Sequence, residues 1–346
     1  MNKTDNFPPA RILGIETSCD ETAAAIVENG RAMLSNVIST QIDLHAKYGG
    51  VFPEVASRQH ILTIYAVIDQ ALQQAHMNLG DVDAVAVTRG PGLAGSLVVG
   101  VNTAKGICLG KNLPLLGINH LEGHIYSAWV YPSDSQEVPR EPKFPLLALL
   151  VSGGHTELNL IEDHLHYKRL GATTDDAAGE AFDKVARLLK LTYPGGPSIQ
   201  KAAENGDPTA YKFPRAKMEG TWNFSFSGLK TAVLREVRQI EESGRALPTE
   251  NLAASFQAAV VDALFTKTIS AAHEYHVKEI IVAGGVSANK ALRSSFTEKK
   301  EFIVHIPNLS LCTDNAAMIA SAGYYHFVNG QKDSLDMDVL PTWPLS

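Results

Sequence analysis

The chain has 346 residues, of which 45% are apolar and 19% are charged. This composition excludes disorder, collagen-like repeats and coiled coil as the main structure, and the length predicts about two domains of roughly 150 residues each. The formal charge of −7 means that the chain as a whole has no net positive charge to attract a nucleic acid. A nucleic acid would therefore be bound by a local basic patch or through another subunit.

The first third of the chain alternates strand and helix patterns. Its apolar runs and turn signals predict the order β-β-β-α-β-α-β, with a hairpin turn at Asn29-Gly30. Strands are predicted over residues 12–17, 23–27, 33–40, 82–87 and 115–118, and helices over residues 55–75 and 93–109.

The same pattern restarts after the proline-rich segment 133–145, which we interpret as a linker and domain boundary. Strands are predicted over residues 146–151, 155–161, 167–172, 279–283 and 302–306. Helices are predicted over residues 178–189, 228–242, 249–275 and 314–328, and one more helix is predicted to begin after residue 285. The sequence Pro194-Gly195-Gly196-Pro197 predicts a break in the chain. Because both parts begin with a three-stranded meander and continue with alternating helices and strands, the sequence indicates a duplicated α/β domain.

Three strand ends carry small or polar turns that suit an anion, at residues 18–22, 151–155 and 282–289. Glycine pairs in the second and third turns let backbone N–H groups approach a phosphate, and the third turn precedes a predicted helix N-terminus. Each turn taken alone is equally consistent with a tight turn that binds nothing. The chain lacks the P-loop pattern, and no Gly-x-Gly-x-x-Gly follows its first strand, which argues against those two kinds of nucleotide site.

His120 and His124 stand four residues apart at the start of a predicted helix, so both imidazoles lie on one face and can share a metal ion. Two imidazoles and a carboxylate suit Zn²⁺ or Fe²⁺, and Asp314 is the best candidate for the third ligand. Two ordinary helix histidines and a plain N-cap aspartate are the alternative. The pattern is not that of the zinc proteases, because Glu122 stands in the third position of the motif and not in the second.

Five motifs follow one another along nearly the whole chain, at residues 14–22, 120–124, 151–156, 223–231 and 283–289. With them the chain resembles the bacterial branch of the TsaD/Gcp family of tRNA threonylcarbamoyltransferase subunits. The resemblance implies an α/β fold of two related domains of the actin/Hsp70/sugar-kinase-like class, with the active site in the cleft between them. The domains expected are residues 1–120, with 314–346 packing back on them, and residues 121–313 with a helical insertion.

The resemblance also implies the reaction and the site residues. A threonylcarbamoyl group would pass from threonylcarbamoyl-AMP to N6 of the tRNA adenosine just 3′ of the anticodon, in tRNAs that read codons beginning with A, with release of AMP. The positions that match the family's metal ligands, for one divalent ion, Fe²⁺ first and Zn²⁺ as the alternative, are His120, His124 and Asp314. The positions that match its substrate-binding residues are Leu150, Val151, Ser152, Gly153, Gly154, Asp183, Gly196 and Asn289. Gln200 stands where the family often has an acidic residue, so its contact with the nucleotide sugar keeps a hydrogen-bonding group but loses a charge.

The residues alone do not select a general base, and Asp20 and His155 are the two candidates. A basic stretch with interleaved aromatics could bind tRNA, or could be a solvated helix face beside a core aromatic cluster. Its members are Arg215, Lys217, Lys230, Arg235 and Arg238, with Trp222 and Phe224 among them.

The resemblance further implies protein partners, namely a shorter TsaB-like homologue that forms a heterodimer and a TsaE-like ATPase. The chain has three cysteines without a Cys-x-x-Cys pair, no hydrophobic signal core at its N-terminus and no apolar run of about 18 residues. We therefore expect a cytoplasmic protein without a membrane partner.

Three other functions compete with this interpretation. An ATP-dependent small-molecule kinase of the same fold would explain the phosphate-binding turns but not the histidine pair. A metalloprotease is disfavoured by the displaced Glu122. A non-catalytic scaffold is disfavoured by the nearly complete set of motifs, because a subunit kept only for assembly could lose its histidines.

Overall fold

The computed structural model describes residues 9–216, 218 and 220–345, and the chain divides into two compact units. Unit 1 runs up to Glu141 and resumes at Pro307, and unit 2 is the segment Pro142–Ile306. The first division falls inside the proline-rich linker. Residues 121–141, which were expected in the second domain, belong to unit 1 because a strand at Tyr131–Pro132 pairs with the third strand of that unit's sheet.

Unit 1 is built on a six-stranded sheet in the order β5-β4-β1-β2-β3-β6. Its strands are β1 (Arg11–Glu16), β2 (Glu21–Glu28), β3 (Ala32–Thr40), β4 (Ala84–Gly90), β5 (Leu115–Asn119) and β6 (Tyr131–Pro132). The first three form an antiparallel meander, and β4 and β5 run parallel to β1. Its helices, numbered along the whole chain, are α1 (Ile42–Ala46), α2 (Pro53–Gln74), α3 (Ala94–Lys111), α4 (His120–Tyr126), α10 (Leu309–Cys312) and α11 (Ala316–Val328).

Helices pack on the sheet of unit 1 from both faces. Leu13 and Ile15 of β1 lie in one apolar cluster with side chains of α2 and α3, such as Ile64 and Val101. On the other face α11 contacts β1 and β2 closely, since a Cβ placed on Gly14 would lie 2.2 Å from a backbone oxygen of α11. The C-terminal part of the chain therefore packs back on the first unit.

Unit 2 repeats this topology with a five-stranded sheet in the order β11-β10-β7-β8-β9. Its strands are β7 (Leu146–Val151), β8 (Thr156–Asp163), β9 (His166–Ala172), β10 (Glu279–Ala283) and β11 (Ile303–His305). Its helices are α5 (Ala178–Leu188), α6 (Gly195–Ala203), α7 (Ser227–Glu242), α8 (Thr249–Glu274) and α9 (Lys290–Thr297). A meander followed by parallel strands on one side occurs in both units, which confirms the predicted duplication.

The prediction of a break at residues 194–197 was wrong, because α6 begins there. Pro194 is the N-cap residue, and Gly195, Gly196 and Pro197 form the first helical turn. The N–H groups of a first turn have no partner inside the helix, so proline costs nothing at that place.

Helix α8 is the one helix within residues 9–216, 218 and 220–345 that is long and apolar enough to cross a membrane by length and composition. It packs against α6, α7, α9 and β7, and its side chains Leu252, Phe256 and Leu264 are fully buried in the core of unit 2. A core helix of this kind passes the same test as a membrane span.

Candidate functional site

The three predicted metal ligands meet in unit 1. His120 and His124 project from successive turns of α4, and their ring centroids are 4.7 Å apart. Asp314 follows α10, and its Oδ1 lies 3.5 Å from Nε2 of His120 and 3.3 Å from Nε2 of His124. One ligand atom from each of the three residues lies within 4.8 Å of the others. Three nitrogen and oxygen donors at these distances form a group that can hold one divalent metal ion.

A fourth residue, Glu16, orients the first of these ligands. Its Oε2 accepts hydrogen bonds from Nδ1 of His120 (3.0 Å) and from Oγ1 of Thr88 (2.6 Å), and its Oε1 accepts one from the backbone N–H of Ser18. Ser18 Oγ also lies 3.2 Å from Nδ1 of His120. A carboxylate that accepts the Nδ1 proton leaves Nε2 with its lone pair directed to a metal, an arrangement common in metalloproteins.

The charges of the site favour a cation. Burial alone would lower the pKa of His120, but Asp314 and Glu16 raise that pKa well above its ordinary value. Burial opposes ionisation of Asp314, yet the two histidines hold the pKa of its carboxyl below the usual range. Burial lowers the pKa of His124, so this ring is neutral, which is the form that binds metal.

His124 gives the clearest sign that the residues fit a metal ion. The side chain is buried, and neither ring nitrogen has a hydrogen-bond partner among the residues that the structure describes. Although Asp314 Oδ1 is 3.3 Å from Nε2, the contact is not aligned as a hydrogen bond. An unpaired buried nitrogen costs about 1–3 kcal/mol, and a coordinated ion would remove that cost.

Unit 2 holds a separate cavity of about 250 Å³ between α5, α6 and the turn before α9. Five of the nine predicted substrate-binding residues line it, namely Gly153, Asp183, Gly196, Gln200 and Asn289. The apolar part of its lining is formed by Phe182, Pro194, Pro197, Val286 and Ala288. A Cβ placed on Gly153, Gly196 or Gly285 would meet no atom within 4 Å, so these glycines leave open space for a ligand.

The polar side chains of the cavity are held by hydrogen bonds from backbone N–H groups and, for Asn289, also by one to the side chain of Gln257. Asp183 Oδ1 accepts a hydrogen bond of 2.7 Å from Gly195 N, and burial raises the pKa of its carboxyl while that bond opposes the change. Gln200 Oε1 accepts one of 2.7 Å from Lys290 N. Asn289 caps α9 through Oδ1 and donates from Nδ2 to Gln257 at 2.7 Å. The side-chain carbonyl of Gln200 is thus occupied by a hydrogen bond inside the protein. The acidic residue that the family often has at this position could accept the same hydrogen bond with a carboxylate oxygen.

The other predicted substrate-binding residues do not line the cavity. Leu150 and Val151 are buried in β7, and Gly154 is exposed in the turn that follows. Ser152 N donates to the carbonyl of His155, and Ser152 Oγ accepts from His155 N, so these two residues close the turn.

The two general-base candidates lie in different units. Asp20, in unit 1, is half-buried in the loop between β1 and β2, and its pKa is raised first by burial and then by the charge of Asp314. His155 lies in unit 2, in the turn after β7.

The basic stretch is partly neutralised. Lys217 lies outside the described residues, Arg215 pairs with Asp262 at 2.7 Å, and Lys230 pairs with Asp176 at 2.7 Å. Phe224 is buried in the core of unit 2, as expected if the aromatic residues of this stretch belong to a core cluster and not to a tRNA-binding surface. The two arginines that remain exposed on α7 are Arg235 and Arg238.

Sequence reasoning missed the contacts of Glu16 and the apolar lining of the cavity. The signal for Glu16 was available, since a carboxylate at the end of the apolar strand 12–16 needs buried partners. The lining could not be found in this way, because Phe182, Val286 and Ala288 come from distant segments and are ordinary apolar residues.

Comparisons with known proteins agree on one family. The family model described as TsaD: tRNA N6-adenosine threonylcarbamoyltransferase matches residues 32–321. A protein of that name from Dehalococcoides mccartyi is 56% identical over 96% of this chain and 98% of its own length. Proteins of the same name from Geobacillus kaustophilus and Bacillus subtilis are 51% and 50% identical, over 100% and 95% of this chain and 100% and 94% of their own lengths.

Solved structures with low identity show the fold alone. HypF of T. kodakarensis superposes with a TM-score of 0.61 at 13% identity, over 94% of this chain and 48% of its own. Component A of the (R)-2-hydroxyglutaryl-CoA dehydratase of Acidaminococcus fermentans gives a TM-score of 0.52 at 15% identity, over 91% and 98%. With the repeated sheet topology, they place the chain in the actin/Hsp70/sugar-kinase-like class.

Proposed function

The chain belongs to the TsaD family of tRNA N6-adenosine threonylcarbamoyltransferases, and we propose that its donor substrate is threonylcarbamoyl-AMP. The enzyme transfers the threonylcarbamoyl group to N6 of the adenosine just 3′ of the tRNA anticodon. In the reaction a C–N bond forms from N6 to the carbamoyl carbon, the bond from that carbon to the phosphate oxygen breaks, AMP leaves, and N6 loses a proton.

Unit 1 would hold one divalent metal ion, Fe²⁺ or Zn²⁺, on His120, His124 and Asp314. When bound, such an ion supplies a Lewis acid that can polarise a substrate oxygen. Glu16 would keep the ring of His120 in the orientation that presents Nε2, as its 3.0 Å contact with Nδ1 indicates.

Unit 2 would bind the nucleoside part of the donor. The apolar lining from Phe182, Val286 and Ala288 suits the faces of an adenine base. Asp183 offers an acceptor to a ribose hydroxyl, and Gln200, whose Oε1 accepts from Lys290 N, offers its amide NH₂ as a donor. Backbone N–H groups near Gly153 would meet the phosphate. These contacts position the donor, and positioning is the main contribution that a transfer to a weakly nucleophilic amine requires.

The proton from N6 needs an acceptor, and Asp20 and His155 are the proposed candidates. Burial raises the pKa of Asp20, which makes its carboxylate a stronger base than an exposed one. His155 is the second candidate because a neutral imidazole can accept a proton through one ring nitrogen.

Protein partners are part of the proposal. Helix α2 exposes Ile61, Leu62 and Tyr65 with 64%, 75% and 80% of their surface open to solvent. An apolar group of this kind on a helix face is typical of an interface, and it would receive the TsaB-like homologue. A TsaE-like ATPase would act with this pair, and the reaction would take place in the cytoplasm.

The observation that carries the proposal against a small-molecule kinase is the group of His120, His124 and Asp314, which phosphoryl transfer from ATP does not explain. The test supplies labelled threonylcarbamoyl-AMP and unmodified tRNA to the chain, alone and with both partners. A parallel reaction supplies labelled ATP with a panel of sugars and carboxylic acids. We expect label in tRNA only. Label in a sugar or acid, with none in tRNA when both partners are present, would establish the kinase instead.

A further inference from the structure

The C-terminal segment, defined here as residues 333–345, lies along unit 1 without a regular helix or strand of its own. Asp333 forms an isolated bridge with Leu115 of β5, and its Oδ2 accepts a hydrogen bond of 2.8 Å from Gly117 N. Met337 and Leu345 are buried. The segment is therefore anchored at both of its ends.

The middle of the segment is fixed against the end of β4. Arg89 Nε donates to the carbonyl of Asp338 at 2.8 Å, and Leu340 N donates to the carbonyl of Arg89 at 2.8 Å. The guanidinium of Arg89 stands 5.8 Å from the centre of the Trp343 ring. A Cβ on Gly90 would lie 1.8 Å from the Leu340 carbonyl oxygen, so only glycine permits this approach of the two backbones.

Two hydrogen bonds then lead from the segment to loops beside the metal ligands. The carbonyl of Pro341 accepts from Gly92 N at 3.1 Å. The carbonyl of Trp343 accepts from Nδ2 of Asn119 at 3.1 Å. Both acceptors are main-chain oxygens, so the contacts depend on the path of the segment and not on its side chains.

Each of these loops holds His120 from one side. Asn119 is the N-cap residue of α4, and its Oδ1 accepts a hydrogen bond from Leu121 N at 2.9 Å. The Asn119 amide therefore stabilises the first turn of α4, which contains His120. On the other side Leu93 N donates to the carbonyl of Ser18 at 2.8 Å, and Ser18 Oγ is 3.2 Å from Nδ1 of His120.

We propose that the C-terminal segment is a positioning element of the metal site, which fixes the ring of His120 through Asn119 on one side and through Gly92, Leu93 and Ser18 on the other. The inference rests on the metal assignment of the proposed function. The residues after α11 would then support the metal site, although they form no regular helix or strand. Asn119 is a positioning residue, since it acts on the metal through its neighbour.

The test uses Co²⁺ as a visible probe of the ligand geometry and measures its affinity by competition with a chelator. The first variant, Asn119→Asp, keeps the oxygen that caps α4 but replaces the donor to Trp343 with an acceptor. The second is the chain truncated after Val339. The matched control is Asn289→Asp, which makes the same change at the N-cap of α9 in unit 2, where Nδ2 donates to Gln257.

We expect Asn119→Asp and the truncated chain to bind Co²⁺ at least about tenfold more weakly, with altered d–d absorption bands, while Asn289→Asp binds as the parent chain does. If both variants lower the melting temperature but keep the parent affinity and spectrum, the segment is merely structural and the inference is overturned. If the parent chain itself does not bind Co²⁺, the metal assignment fails, and this inference fails with it.

Discussion

The contacts of Glu16 give the sharpest prediction for the metal site. The two carboxylate oxygens accept from Ser18 N on one side and from Thr88 Oγ1 and His120 Nδ1 on the other. Glu16→Gln keeps the size of the side chain but turns one oxygen into an NH₂ donor. In one orientation of the amide this donor faces the N–H of Ser18, and in the other it faces Thr88 and His120. Either orientation leaves at least one buried donor without an acceptor, at a cost of about 1–3 kcal/mol.

Loss of such a support for a metal-binding histidine weakens metal binding by about 10–100-fold. We therefore expect Glu16→Gln to raise the dissociation constant for Zn²⁺ by that factor, measured by competition with a chelator in parallel with the melting temperature. Thr88→Val serves as the control, because it removes one of the three donors and leaves the carboxylate on His120. Unchanged Zn²⁺ affinity in Glu16→Gln, or an equal loss in both variants, would refute the assigned role of Glu16.

The further predictions concern the cavity, the half-buried acid Glu21, the core and the exposed face of α2. Gly196→Val should weaken AMP binding by tenfold or more in calorimetry with little change in melting temperature, because the new side chain fills open cavity space; unaltered AMP affinity would place the nucleotide elsewhere. Burial, and then the charge of Asp20, raise the pKa of Glu21 from 4.5 to about 8, so between these values the carboxyl is protonated in the folded protein and ionised in the unfolded chain. The folded protein therefore loses stability as the pH rises through this window. Glu21→Gln, measured in the presence of a chelator, should raise the melting temperature more at pH 8 than at pH 5. An equal rise at both pH values would disprove the raised pKa of Glu21. Phe256→Ala should cost about 3–5 kcal/mol in denaturant unfolding, since the side chain is fully buried. Leu62→Ala, at a side chain that is 75% exposed, should cost less than about 0.5 kcal/mol and weaken only the binding of the partner; a comparable loss of stability would show that the two side chains are not placed as described.

Most strands and helices could be predicted from the sequence because each has its own periodicity. The helix predicted over residues 55–75 is observed as Pro53–Gln74, and the strand predicted over 279–283 as Glu279–Ala283. The rule that glycine and proline interrupt helices failed at Gly195, where these residues form a first turn.

The sequence could single out the three residues of the candidate metal site because His120 and His124 share one helix, Asp314 opens the last predicted helix, and the resemblance points to the same three positions; the structure brings them together. The environment that orients them could not be predicted in the same way. Glu16 ends β1, and His120 directly follows β5. The two residues meet only because β1 and β5 are the two neighbours of β4 in the sheet, a placement set by long-range strand pairing. The segment 333–345 has no periodicity, and several of its contacts with unit 1 use its main-chain groups, which carry no sequence signal.

The measurement that tests the account most directly combines metal content and transfer activity on the same samples. The chain and its His124→Ala variant would be purified without oxygen, analysed for metal, and assayed with threonylcarbamoyl-AMP, unmodified tRNA and both partners. We predict one metal ion per chain and labelled tRNA for the parent protein, and neither for the variant. A His124→Ala protein that keeps its metal, or that modifies tRNA at the parent rate, would contradict the assignment of the site.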